Sequence, residues 1–124
     1  MSTIKVTTIQ NLAGVEVYTA KAWVNFNGTG TVAIRASGNV SSITDNGTGD
    51  YTVNFTVAMV DTNYCVVVSS QAAAGAATTI YPFTQNNGSG SFSPVAPVVG
   101  SFRVSTAQSG SYTDLPYALV SVFR

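Results

Sequence analysis

Asp45 and Asp50 flank the run DNGTGD, and no other two acids in the sequence lie as close together. Two carboxylates about 5 to 9.5 Å apart are what glycoside hydrolysis requires, and alternating oxygen donors are what a calcium ion requires. A calcium loop, however, ends in a bidentate Glu, and none follows here. Asp and Asn beside Gly are also the residues that close a hairpin turn with their own side chains. The turn is the expected role; a glycan-cleaving pair and a calcium ion shared between subunits are the chemical alternatives. Histidine is absent, which removes Ser-His-Asp triads, Cys-His pairs and histidine metal sites. The single cysteine, Cys65, lies in the apolar run YCVVV and is expected to be a buried small hydrophobe. Gly28-Thr29-Gly30 and Gly88-Ser89-Gly90 lack the lysine and following helix of a phosphate loop. Asn-x-Ser/Thr recurs at Asn27, Asn39, Asn46, Asn54 and Asn87, as an Asn- and Thr-rich composition produces by chance, and no glycans are assigned. No catalytic residue, metal or cofactor is expected.

Recognition by shape, aromatic faces and amides remains. Tyr81, Phe83, Asn86, Asn87, Phe92 and Tyr112 sit in or beside turn-rich segments, and rings next to amides suit sugar faces or protein pockets. These six are the candidate receptor contacts. The competing expectation is that Phe83 and Phe92 cap the core while the amides serve the turns. Trp23 and Asn25 share the polar face of the run AWVNFN and are the candidate subunit contact.

Charge narrows the partners. Only 8% of the 124 residues are charged, with five cations balancing five acids, against about a quarter in ordinary proteins. With no basic stripe, nucleic acid is an unexpected partner. Near-zero net charge also removes the repulsion that separates monomers, so a homo-oligomer is expected. The opening MSTIKVTTIQ alternates apolar and polar residues where a secretory signal would be continuously apolar, and no run approaches the roughly 20 apolar residues of a membrane helix. Synthesis in a cytoplasm without membrane insertion is the expectation.

The elements that must hold these residues read as strands. TIKVTTI alternates and suggests a first strand, followed by a turn at Asn11 to Gly14. Ala22, Val24 and Phe26 fall on one face of their run and Lys21, Trp23, Asn25 and Asn27 on the other. A glycine corner at residues 28–30 joins that run to Val32, Ile34 and Ala36, which continue its apolar face, while Arg35 points away. A second hairpin pairs Val40 to Thr44 with Tyr51 to Val57, whose odd-numbered positions are all apolar, around an Asn46-Gly47 turn. The valine run from Tyr64 to Ser70 suggests a strand covered on both faces. QAAAGAA is too short and too glycine-broken for a helix and reads as a loop or a tight small-residue packing site. Pro82 confines Thr78 to Thr84 to an edge or bulge, Asn86 to Gly100 is the longest turn-rich stretch, and SFRVSTA and YALVSVFR close the chain as strands. The fold class is all-β, an antiparallel β-sandwich or jelly-roll-like barrel with no significant helix. One β domain spans 1–124: an N-terminal strand and connection (1–20), a two-hairpin scaffold (21–57), and the remaining strands with long turn-rich loops (58–124).

KAWVNFNGTGTVAIRASGNVSSITDNGTGDYTVNFT, Lys21 to Thr56, resembles a segment of the tail fibre and receptor-binding virion proteins of tailed phages of the marine type. MSTIKVTTIQ and YTDLPYALVSVFR are similar to the ends of small stand-alone members. The resemblance implies a non-enzymatic homotrimer on the virion exterior, associated with other virion proteins and binding a host surface receptor, with a glycan as the expected class. It equally accommodates a capsid decoration or cement protein, or a tail adaptor, with a purely structural role.

Overall fold

The computed structural model describes residues 2–72 and 74–124. Eleven strands form two packed antiparallel sheets and a small flap: β1 (Ala22–Asn27), β2 (Ala33–Gly38), β3 (Val40–Gly47), β4 (Asp50–Phe55), β5 (Cys65–Gln71), β6 (Thr78–Pro82), β7 (Thr84–Asn86), β8 (Phe92–Pro94), β9 (Ser101–Gln108), β10 (Ser111–Tyr112) and β11 (Tyr117–Phe123). The described residues contain no helix. The first sheet runs β2-β1-β11-β5. In the second, β3, β4 and β9 are consecutive neighbours, β6 pairs with β9, and short β10 extends the β9 hairpin. Sheets packed face to face in this way make a β-sandwich. Among the described residues, β7 and β8 pair only with each other.

Alternation builds the core. Ala22, Val24 and Phe26 of β1, Tyr51, Val53 and Phe55 of β4, Phe102 and Val104 of β9, and Ala118, Val120 and Val122 of β11 all turn inward and are buried. Each such Val or Phe contributes about 1.5–3 kcal/mol through burial. Edge-to-face rings tie the core together: Phe26 of the first sheet meets Tyr51 of the second at 5.3 Å between centroids, and Phe55 meets Tyr64, just before β5, at 5.7 Å.

Polar clamps fix the corners. Asn39, with φ 53°, carries the chain from β2 in one sheet to β3 in the other. Its side chain accepts from Val57 N at 2.7 Å and donates to the carbonyls of Val57 and Lys21. Tyr51 donates its hydroxyl to Asp114 Oδ1 at 2.6 Å beside the Gly28 carbonyl, and the same Asp114 oxygen accepts from Gly49 N at 2.7 Å. A side chain at Gly28 would collide with the Tyr51 hydroxyl, so Gly28 is required for that approach, whereas Gly30, at φ 63°, makes the turn.

Several expectations are corrected. TIKVTTI forms no strand: residues 2–20 are exposed, with only a rudimentary hairpin in which Gln10 bridges Glu16 and Val17 N donates to Ile9 O around the Asn11–Gly14 turn. Cys65 is exposed, and β5 alternates between exposed and half-buried positions instead of being covered twice, because its outer side meets no layer. The second hairpin turns at Thr48-Gly49 and not at Asn46-Gly47, since Gly47 still pairs with Asp50 across a bulge. β4 ends at Phe55 and leaves Val57 in solvent. Ile34 and Ala36 on edge strand β2 are exposed where an apolar face was expected. Gly75 has open space around it, so the QAAAGAA segment, whose Ala73 lies outside the described residues, is a loop and not a packing site.

Candidate functional site

The β7–β8 flap folds over the outer face of the second sheet and anchors on Asp50. Asp50 points outward from β4, opposite its inward neighbour Tyr51, yet is only 3% exposed because the flap covers it. Arg103 of β9 donates two hydrogen bonds to it, Nε to Oδ1 at 3.1 Å and Nη2 to Oδ2 at 2.6 Å, and the backbone N of Asn86 in β7 adds a third at 3.0 Å. With its oxygens engaged in this way, Asp50 acts as a structural fastener. Asp45, in contrast, is exposed and accepts from Gly47 N at 3.0 Å, an Asx-type turn. One carboxylate is locked under a flap and the other is spent on a turn.

Above the fastener the flap assembles an aromatic ledge. The Phe92 ring lies 4.2 Å from Tyr81 and 4.4 Å from Tyr112, centroid to centroid, tilted 45° to each. Three elements supply the rings: Tyr81 from β6, Phe92 from β8 and Tyr112 from β10. The Tyr112 hydroxyl shares its proton between the carbonyls of Ser91 at 2.8 Å and Gln85 at 3.0 Å, tying the rings to β7 and to the residue that precedes β8. Burial, with the Asp50 charge second, raises the Tyr112 pKa above its ordinary value. All three rings remain partly exposed.

The other candidates part from this group. Phe83, at φ 57°, turns toward the core and packs 5.9 Å from Phe102 and 6.0 Å from Tyr64. Asn86 accepts from Gly88 N and donates to Thr48 O; Asn87 accepts from Ser89 N and donates to Ser93 Oγ. Both amides therefore shape the flap and its tip. Asp50, Arg103 and Asp114 were missed as organisers by the sequence reading; the only signal was their rarity in a chain with so few charges.

On the opposite side of the molecule, the outer face of the first sheet carries the second candidate group. Trp23 is 43% exposed, lies over Gly38 of β2, and shares its face with Asn25, Leu119 and Tyr117. Arg35 donates to Asn25 Oδ1 at 3.3 Å and its guanidinium sits 4.4 Å above the Tyr117 ring. A groove of about 270 Å³ beside Lys21, Asn39, Met59 and Val60 falls just below the size usual for small-molecule sites.

Among the described residues no helix is long and apolar enough to cross a membrane. No protein-family model, curated protein or solved structure matches this chain. The class defined by fold and site is thus an all-β sandwich bearing an aromatic ledge on one outer face and, on the other, a partly apolar surface that carries Arg35.

Proposed function

We propose that the chain is a non-enzymatic virion surface protein, a tail fibre or tail tip module that forms trimers and contacts a host surface glycan. The observation that carries this reading is the ledge: Tyr81, Phe92 and Tyr112 come from separate segments yet stack together over a pinned flap. Partly exposed rings held rigidly are suited to the C–H face of a sugar, because little side-chain entropy remains to be lost on binding. The resemblance over Lys21 to Thr56 supports the virion setting. Phe92→Ala opens the centre of the stack and is expected to weaken glycan-array binding and cell adsorption at least tenfold, about 1.4 kcal/mol, with the fold retained. Unchanged adsorption by that variant, or no glycan bound by the parent protein, removes the receptor role.

The partly apolar outer face of the first sheet and the exposed N-terminal residues favour a second reading, a capsid decoration or cement protein or a tail adaptor. Immunogold labelling of virions distinguishes the two by placing the chain on head or tail.

A further inference from the structure

Residues 2–20 form an arm without a partner. Every described large apolar side chain in it, from Ile4 (88% exposed) to Tyr18, stands in solvent. Its only internal order is the hairpin around Asn11–Gly14, and an isolated two-stranded hairpin is at best marginally stable in water. The arm therefore needs a surface, and its own body gives it only a root: Glu16, Val17 and Tyr18 border a cleft with Lys21, Cys65, Phe123 and Arg124 at one end of the first sheet, where Arg124 is already paired with Asp61 and, among the described residues, neither cation forms an ion pair with Glu16.

We infer that the arm of one copy packs on the outer face of the first sheet of a neighbouring copy, with Glu16 meeting Arg35. This rests on the self-association in the proposed function and identifies its contact. Three observations converge on the occupant. Trp23, Val67, Tyr117 and Leu119 leave that face partly apolar and exposed, matching the arm's side chains. Arg35 is the only charged residue in β1, β2, β5 and β11, and Glu16 is the only acid in residues 1–20. Neither forms an ion pair among the described residues. Within one chain the two are kept apart: Glu16 borders Phe123 whereas Arg35 covers Tyr117, at the other end of β11, roughly 20 Å away at about 3.4 Å per residue. A donor arm on an acceptor face is a heterologous contact, which closes into a ring when the rotation permits.

The test is multi-angle light scattering across a dilution series of the full chain, its Glu16→Arg and Arg35→Glu variants, and the two combined. Each single variant sets like charges together and is expected to raise the assembly midpoint about tenfold in concentration, equivalent to about 1.4 kcal/mol; the combination restores it. Ile9→Asp, in a residue that no core contact needs, is expected to raise it as well. An oligomer whose midpoint ignores all four variants overturns the arm contact while leaving self-association standing. A parent chain that stays monomeric throughout overturns both.

Discussion

Replacing Asp50 with Asn removes the charge to which Arg103 and the Asn86 backbone are fastened. Breaking one side of a buried ion pair strands the other, so the cost should be about 3 kcal/mol, seen as a reduced urea midpoint. The flap should loosen with it, raising amide exchange across Thr84–Pro94. Titratable phenols set a second prediction. Burial first, and then the hydrogen bond and charge of Asp114, raise Tyr51 far above its ordinary pKa, while burial pushes Tyr64 up to about 12 from 10.0. Their stabilising effect is complete below the unfolded pKa near 10 and is lost as pH rises toward the folded values. Stability should therefore fall between pH 10 and 12, and Tyr51→Phe should lessen that fall while costing about 1–3 kcal/mol at neutral pH, because Asp114 loses its donor. On the surface, the Arg124 hydrogen bond and Asn63 N hold Asp61 down at about 2; that contribution is present above pH 4 and fades as pH drops toward 2. As an exposed pair, it should be lost from Asp61→Asn with little change in midpoint.

Elements whose pattern carries its own instructions were readable from sequence. Ala22, Val24 and Phe26 alternate strictly and are buried together, as are Tyr51, Val53 and Phe55, because a period of two places every second side chain in the core whatever the topology. TIKVTTI has the same alternation but joins neither sheet, and alternation cannot supply a neighbour. YCVVVSS was misjudged for a related reason: valine fits a pleated surface on either face, and composition does not say which face another layer will cover. The β3–β4 turn moved by two residues because Gly49, not Asn46, supplies the critical positive φ, at 63°. Gly49→Ala would strain that backbone and press its Cβ against the Thr106 carbonyl. It should cost more than about 1 kcal/mol, with the local loss visible as weakened protection of the Thr106 amide, which bonds to Gly49 O.

At the scale of the whole molecule, the sandwich separates two outer faces, the aromatic ledge over the second sheet and the partly apolar, Arg35-bearing surface of the first. Aromatic type and loop context marked Tyr81, Phe92 and Tyr112 in advance, but their meeting depends on β6, β8 and β10 converging around the flap, a long-range event that local pattern does not encode. Phe83 shows the limit, since its segment is the same and its ring goes to the core. The account rests on a chain that acts by assembly, so the most direct measurement is the absolute mass of the purified protein by light scattering at micromolar concentration. A closed threefold assembly predicts three times 12.8 kDa, and a persistent monomer of 12.8 kDa would contradict it.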